Sequence, residues 1–267
     1  MLVSVIIVSF NTKELTVKAV ESVNKYSIKG ETELIVVDNN SQDGSPKVLQ
    51  KYKSSVPYIF IQNKTNTGFA KANNMAINKA SGKYIFLLNS DAQLQVGVLQ
   101  KVVDYADKHA DAGVVAPKLL NPDGSSQPSV FRLPTLKRSI TNYWKNTHEL
   151  DKYTPKSKNP TEVESVVAAA MLITPIALAK VGKLNEKYFM YFEDLDYCRS
   201  VNNVGLKVYY LPSATVLHHH GSSGSSAITE RNQWKRLVPS SRIYHGTLKY
   251  YLIYVISRIA QLTGVYK

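Results

Sequence analysis

One cysteine, Cys198, stands in 267 residues, so no disulfide can form within the chain, as expected of a protein kept in a reducing compartment. Long apolar runs are absent too. Tyr250 to Ile256 is the kind of stretch available, far short of the roughly 20 residues that a spanning helix needs. No basic n-region and no small-residue cleavage site follow Met1, so the expected location is the cytoplasm, extending to the inner face of the membrane. The Gly-x-Gly-x-x-Gly fingerprint is missing after the first strand, which argues against NAD or FAD. Acidic residues are scarce: 20 Asp and Glu against 33 Lys and Arg leave a net charge of +13. None follows Glu230, whereas Arg231, Lys235, Arg236, Arg242, Lys249, Arg258 and Lys267 do. Such a bias favours an anionic partner: phosphates, nucleic acid or an anionic membrane surface.

What is present is a repeated strand–helix pattern, and 44% hydrophobic residues suffice for one large core with or without a helical extension. Leu2 to Phe10 reads as a buried strand, Asn11-Thr12 as a cap, and Lys13 to Tyr26 as a helix. A second strand, Glu33 to Val37, ends in Asp38. Strand, helix and strand occupy about 35 residues, the length of a right-handed crossover, which predicts parallel neighbours with Ser9 to Asn11 beside Asp38. That juxtaposition suits a nucleoside. A helix from Ser45 to Lys53 and a strand from Tyr58 to Gln62 follow. The next helix is entered through Asn66-Thr67-Gly68-Phe69-Ala70-Lys71 and runs to about Ala80. Its free N–H groups and Lys71 suit a diphosphate, although Lys71 taken alone reads as a solvated lysine.

Gly82 to Leu88 is a strand that delivers Asn89-Ser90-Asp91 at its tip. Apolar without alternation, it reads as buried on both faces of an α/β sheet, and ligands sit outside the carboxyl ends of such strands. The tripeptide alone also fits a turn capping a helix from Gln93. A helix from Val98 to Lys108 and a strand from Gly113 to Pro117 complete a mostly parallel sheet with helices on both faces.

Asn121 to about Glu164 reads as long loops with one short helix, given to acceptor contact or to a lid. Ala168 to Thr174 resumes as a buried strand and Pro175 to Val181 as a helix. Glu193, Asp194 and Asp196 then crowd a helix start, where the dipole favours them. The preceding Tyr188, Phe189, Tyr191 and Phe192 imply a partly desolvated setting in which a carboxylate can take a proton. On a helix, Glu193 and Asp196 share a face and Asp194 does not, and Arg199 reaches Asp196 as a structural pair. Strands at Lys207 to Leu211 and Thr215 to His219 lead into three histidines, with His218 and His220 on one face and His219 on the other if the strand persists. The tail after Glu230 fits a basic amphipathic helix on a membrane surface and equally one that packs its apolar face on the domain.

Val-Ile-Ile-Val-Ser-Phe-Asn (5 to 11), Val-Val-Asp-Asn-Asn-Ser-Gln-Asp-Gly-Ser (36 to 45), Asn-Thr-Gly-Phe-Ala-Lys-Ala-Asn-Asn (66 to 74), Leu-Leu-Asn-Ser-Asp (87 to 91), Phe-Glu-Asp-Leu-Asp (192 to 196) and His-x-x-Gly-x-Ser (218 to 223) occur in this order. Over residues 1 to 225 the chain thereby resembles the inverting family-2 glycosyltransferases of the GT-A fold, particularly small bacterial ones that include rhamnosyltransferases. The resemblance implies an α/β protein with a single Rossmann-like, mostly parallel sheet flanked by helices; the basic amphipathic helical tail read from residues 226 to 267 lies beyond it. Residues 1 to 117 would form the nucleotide half and 118 to 225 the acceptor half. It implies that Ser9, Asn11, Asp38, Gly68, Lys71, Asn89 and Ser90 line the nucleotide-sugar pocket. Asn89-Ser90-Asp91 takes the Asp-x-Asp metal position, and Glu193-Asp194 holds the catalytic base. Asn89 replaces the first Asp of the metal motif, which leaves the metal to Asp91, the diphosphate and a histidine, His218 first and His220 in reserve.

The implied chemistry is coherent. A sugar diphosphate departs with negative charge that a divalent cation, Mn2+ or Mg2+, would neutralise. Across the ring a carboxylate, Asp194 or else Glu193, would take the acceptor proton during an inverting displacement. The expected partners are a nucleoside-diphosphate sugar (dTDP-rhamnose or a UDP-sugar), a saccharide or lipid-linked glycan acceptor, and an anionic membrane surface met by the tail. Nucleic acid is not expected, because the basic excess is tail-heavy and the pocket edge is acidic. A sugar-1-phosphate nucleotidyltransferase would share the sheet, but needs a Gly-rich basic loop where Ser9-Phe10-Asn11-Thr12 stands.

Overall fold

The computed structural model describes residues 1–145, 147–219 and 230–265. The first part alternates strands and helices: β1 (Val3–Ser9), α1 (Lys13–Tyr26), β2 (Thr32–Asp38), α2 (Ser45–Gln50), β3 (Tyr58–Gln62), α3 (Phe69–Ile77), β4 (Tyr84–Asn89), β5 (Ala92–Leu94), α4 (Val98–Lys108) and β6 (Ala112–Leu120). Irregular sequence then forms β7 (Ser126–Gln127), β8 (Val130–Phe131), α5 (Leu136–Lys145), β9 (Thr161–Val163) and β10 (Ser165–Val166). β11 (Ala170–Ile173), α6 (Pro175–Lys180), α7 (Glu193–Asn203) and β12 (Lys207–His218) restore order, and α8 (Glu230–His245) and α9 (Thr247–Leu262) follow.

The main sheet runs β3-β2-β1-β4-β11-β6-β12-β5. Its first four strands are parallel, with Ser9 opposite Asp38 and Val8 opposite Asn89. Unbroken apolar strands result because both faces are covered. Val5 and Ile7 join Phe86 and Leu88 under α1 and α4, whereas Ile6 joins Ile85 and Leu87 under α3 and α7.

The mostly parallel sheet flanked by helices is as expected, and three details go beyond what the sequence indicated. β11 enters between β4 and β6 antiparallel to both, so the sheet is mixed. The two strands expected at Lys207 to His219 are one strand, irregular between Leu211 and Thr215. The segment after Asp91 is β5, and not the start of a helix. Its antiparallel register on β12 sets His218 opposite Ala92, one residue from Asp91. No described helix is long and apolar enough to cross a membrane.

Candidate active site

The carboxyl ends of β1, β2 and β4 open on one edge, and a line of buried hydroxyls ties the end of β1 to the end of β4 through the start of α1. Ser9 Oγ lies 2.9 Å from Thr16 Oγ1, which lies 3.0 Å from Thr12 Oγ1, and Thr12 donates to Ser90 Oγ at 3.0 Å. Asp38 is fully buried, its Oδ2 accepting from the Ser41 N–H at 2.9 Å. Asp38 Oδ1 is buried with no hydrogen-bond partner among the described residues. A buried carboxylate oxygen left unpaired is costly, which marks it as an acceptor waiting for a donor. Asn11 sits at φ 53° and clasps the Asp38 loop, its N–H donating to Ser41 Oγ and its Oδ1 accepting from the Gln42 N–H.

Asn39 is a hub that the sequence did not disclose. Its Oδ1 accepts from the Asn63 side chain and the Thr67 N–H, and its Nδ2 donates to Asn66 Oδ1 and the Gly68 carbonyl. It thereby fixes the loop that enters α3. Gly68 has φ +85°, and a Cβ there would overlap the Phe189 carbonyl oxygen and approach Phe189 Cδ2 to 2.9 Å. Only glycine fits both demands. Lys71 is exposed on the first turn of α3.

At the tip of β4, Asp91 is buried and its Oδ1 lies 3.3 Å from His218 Nε2. Gln127 sets the imidazole. Its Nε2 donates to the His218 carbonyl at 3.2 Å and to Asn121 Oδ1 at 2.7 Å, so its Oε1 is the acceptor 2.6 Å from His218 Nδ1. That network assigns the Nδ1 proton and turns Nε2 toward the carboxylate. His219 departs from this line, its Nε2 lying 3.1 Å from Gln93 Nε2. His220 lies outside the described residues. Among those described, no group of three or more His, Cys, Asp or Glu is arranged around a metal. Asp91 and His218 offer one hard oxygen and one imidazole, a donor pair whose chemistry suits a manganese-like cation.

The carboxylates of α7 face the same edge through one short segment. The Asn89 N–H donates to the Ala169 carbonyl at 2.9 Å, and the Ala168 N–H donates to Asp194 Oδ2 at 3.3 Å. Asp194 Oδ1 accepts from the Leu195 N–H at 2.8 Å. Burial raises the Asp194 pKa, while those two N–H groups and the Lys152 charge pull it back. Glu193 is pushed well above the usual carboxylate range by burial and then by Asp194, and its Oε2 has no hydrogen-bond partner among the described residues. Asp196 pairs with Arg199 instead, as its spacing predicts. Tyr191 and Phe192 hold φ of 71° and 68° immediately before this turn, a sparsely populated region for aromatic residues.

α8 is seated on that strained loop. Ser240 Oγ donates to the Met190 carbonyl at 2.8 Å, and the Arg199 guanidinium stacks 3.9 Å above the Tyr244 ring while bonding its carbonyl. For α8, then, packing on the domain is what occurs.

Residues 4–160 match the profile of the family described as glycosyl transferase family 2. The chain is 28% identical over 209 residues to the N-acetylglucosaminyl-diphospho-decaprenol L-rhamnosyltransferase of Mycobacterium tuberculosis, covering 71% of this chain and 67% of that protein. Among solved structures it resembles S. aureus TarS 1-349 in complex with UDP-GlcNAc, with TM-score 0.61 and 19% identity over 98% of this chain and 72% of that one. It also resembles GalNAc-T7 with UDP, GalNAc and Mn2+, with TM-score 0.62 and 15% identity over 82% of this chain and 44% of that one. The fold is the GT-A type expected from the motifs.

Proposed function

Because the chain belongs to glycosyl transferase family 2, we propose that it moves a sugar from a nucleoside-diphosphate donor, dTDP-rhamnose or a UDP-sugar, to a hydroxyl of a saccharide or lipid-linked glycan, with inversion. The observation that carries this reading is the hinge at Ala168–Ala169, which holds the β4 tip bearing Asp91 on one side and Asp194 on the other. In a single displacement the leaving diphosphate and the proton acceptor must lie on opposite sides of the anomeric carbon.

On this reading Asp38 takes a nucleoside N–H or hydroxyl on its open oxygen. Ser9, Asn11 and Gly68 shape the pocket, and Asn89, Ser90 and Lys71 border the sugar and diphosphate. Asp91 and His218 hold Mn2+ or Mg2+, which would neutralise charge on the leaving diphosphate. His220 is the reserve histidine. Asp194 is the base, and Glu193, whose pKa burial and the Asp194 charge push well above the ordinary carboxylate range, is its neighbour. The M. tuberculosis relative's name specifies rhamnose and a diphospho-decaprenol acceptor, which supports a lipid-linked acceptor and, with the basic C-terminal segment, an anionic membrane surface as a partner.

The test is a panel of UDP- and dTDP-sugars with and without Mn2+, following release of the nucleoside diphosphate, then the anomeric configuration of any product by NMR. Release from at least one donor, stimulated by metal, is expected. Failure with every nucleoside-diphosphate sugar would overturn the proposal.

A further inference from the structure

α9 is apolar on both sides, and one side is left uncovered by the described residues. Its inner face rests on α5 and α8, with Ala260 fully buried. On the opposite face Leu248, Leu252, Val255, Ile259 and Leu262 recur at helical spacing, and all five are exposed, Leu248 by 76% and Leu262 by 82%. An unpartnered stripe of this length on a helix surface marks an interaction site. The neighbouring helix α5, packed against α9, adds two exposed apolar residues one turn apart, Ile140 and Trp144.

Charge selects the occupant. No Asp or Glu occurs in α5 or after Glu230, while Lys137 and Lys145 lie on α5, Arg242 at the end of α8, and Lys249 and Arg258 on α9, so the charges of α5 and α9 are wholly positive. A second copy would set these cations against their own kind, in a chain of net charge +13. A helix of 16 residues is about 24 Å long, shorter than the hydrocarbon core of about 30 Å, so it suits lying in the interface more than crossing it. Tyr251 and Tyr254, both exposed, have the amphipathic character of residues at a headgroup boundary.

We propose that the outer face of α9, together with Ile140 and Trp144 of α5, seats the domain on an anionic bilayer surface. The proposal deepens the lipid-linked acceptor reading, on which it rests for its purpose. It also assigns different duties to the two C-terminal helices. α8 is committed to the loop before Glu193, and α9 to the membrane.

The experiment uses the full chain and vesicle flotation, with phosphatidylcholine alone or with about one third phosphatidylglycerol, an anionic content that attracts basic segments. Binding to the anionic vesicles, falling with added salt, is expected. Val255→Glu combined with Leu262→Glu should reduce it on the order of tenfold or more, because charges then replace inserted apolar groups. Circular dichroism melting would establish that these exposed substitutions leave the fold intact. In a Trp234→Phe background, Trp144 emission should shift to the blue on anionic vesicles only. Equal flotation of the parent and the double variant would overturn the proposal, as would equal binding to uncharged vesicles. A dimer in solution that Val255→Glu dissociates, without vesicle binding, would assign the face to a second copy. Metal-stimulated donor hydrolysis without vesicles reports on the glycosyltransferase reading alone, so each reading can fail without the other.

Discussion

His218 Nε2 stands 3.3 Å from Asp91 Oδ1 while its Nδ1 is fixed by Gln127 Oε1 at 2.6 Å. An imidazole tied at one nitrogen and aimed at a carboxylate with the other is the arrangement by which outer partners orient metal ligands. Asp91→Ala should abolish metal-stimulated donor turnover while leaving the melting transition in place. His218→Ala should weaken Mn2+ in a titration with bound nucleoside diphosphate. Gln127→Ala should cost about 10- to 100-fold in the same titration without removing a ligand, and His219→Ala should leave it unchanged. Three indistinguishable His218, His219 and Gln127 titrations would remove this pair from the metal site.

The open oxygen of Asp38 predicts a different signature. Its Oδ2 already accepts from the Ser41 N–H, so the loop is tied through one oxygen while the other is open to the proposed nucleoside. A hydrogen bond to a charged acceptor contributes about 1.5–3 kcal/mol, so Asp38→Asn, which keeps an oxygen for the Ser41 N–H but puts an amide NH2 in place of the open one, should weaken UDP or dTDP binding by roughly 10- to 100-fold in calorimetry. Metal dependence of the residual activity should persist. Unchanged nucleotide affinity would place the nucleoside elsewhere.

Gly68 joins two halves of the site. Any side chain there meets the Phe189 backbone, and φ +85° adds strain. Gly68→Ala should therefore lower stability by about 1–3 kcal/mol and, because Phe189 precedes the Glu193 turn by only a few residues, depress turnover along with nucleotide affinity. Urea denaturation and calorimetry measure the two effects. A variant as stable as the parent, with normal affinity, would show that the loop gives way.

Local periodicity made much of the fold legible. α1, β3 and α4 fall at the bounds that apolar spacing and caps predict, and the parallel pairing of β1 with β2 followed from the crossover length. The places where structure departs from sequence are non-local. The antiparallel insertion of β11, and the register that brings His218 opposite Ala92, depend on pairings between strands distant in sequence. Gln127 was hidden in the stretch assigned to loops, although Asn121-Pro122-Asp123-Gly124 is a turn signal between two extended runs, and that turn folds β7 back onto β6. Asn39 was hidden for the opposite reason: one amide among several in a polar turn has no periodicity to reveal it. Left-handed Asn11, Tyr191 and Phe192 all lie in loops at the proposed site, where strain is tolerated because the surroundings impose it.

The adjacent carboxylates of α7 make opposite predictions for chemistry and for stability. To serve as the proposed base, Asp194 must be ionised, and burial raises its pKa. The acid limb of the turnover profile should accordingly lie above the ordinary carboxylate range near 4, with activity rising as pH rises through it. Asp194→Asn, nearly isosteric, should lose on the order of 100-fold or more in turnover and retain nucleotide binding. Glu193 behaves differently, because burial and the Asp194 charge hold its proton well above the usual range. A raised folded-state pKa means that the folded protein holds the proton more tightly than the unfolded chain. The stability this provides is fully present below the unfolded value and is lost as pH rises through the folded one. Glu193→Gln cannot titrate, so the difference in melting temperature between this variant and the parent should move in the variant's favour from pH 4 toward pH 8. Its turnover should remain well above that of Asp194→Asn. Melting curves and pH–rate profiles of both variants check the pair together. If Asp194→Asn kept full turnover while Glu193→Gln lost it, the base would be Glu193, and a melting difference independent of pH would show that folding does not raise the Glu193 pKa.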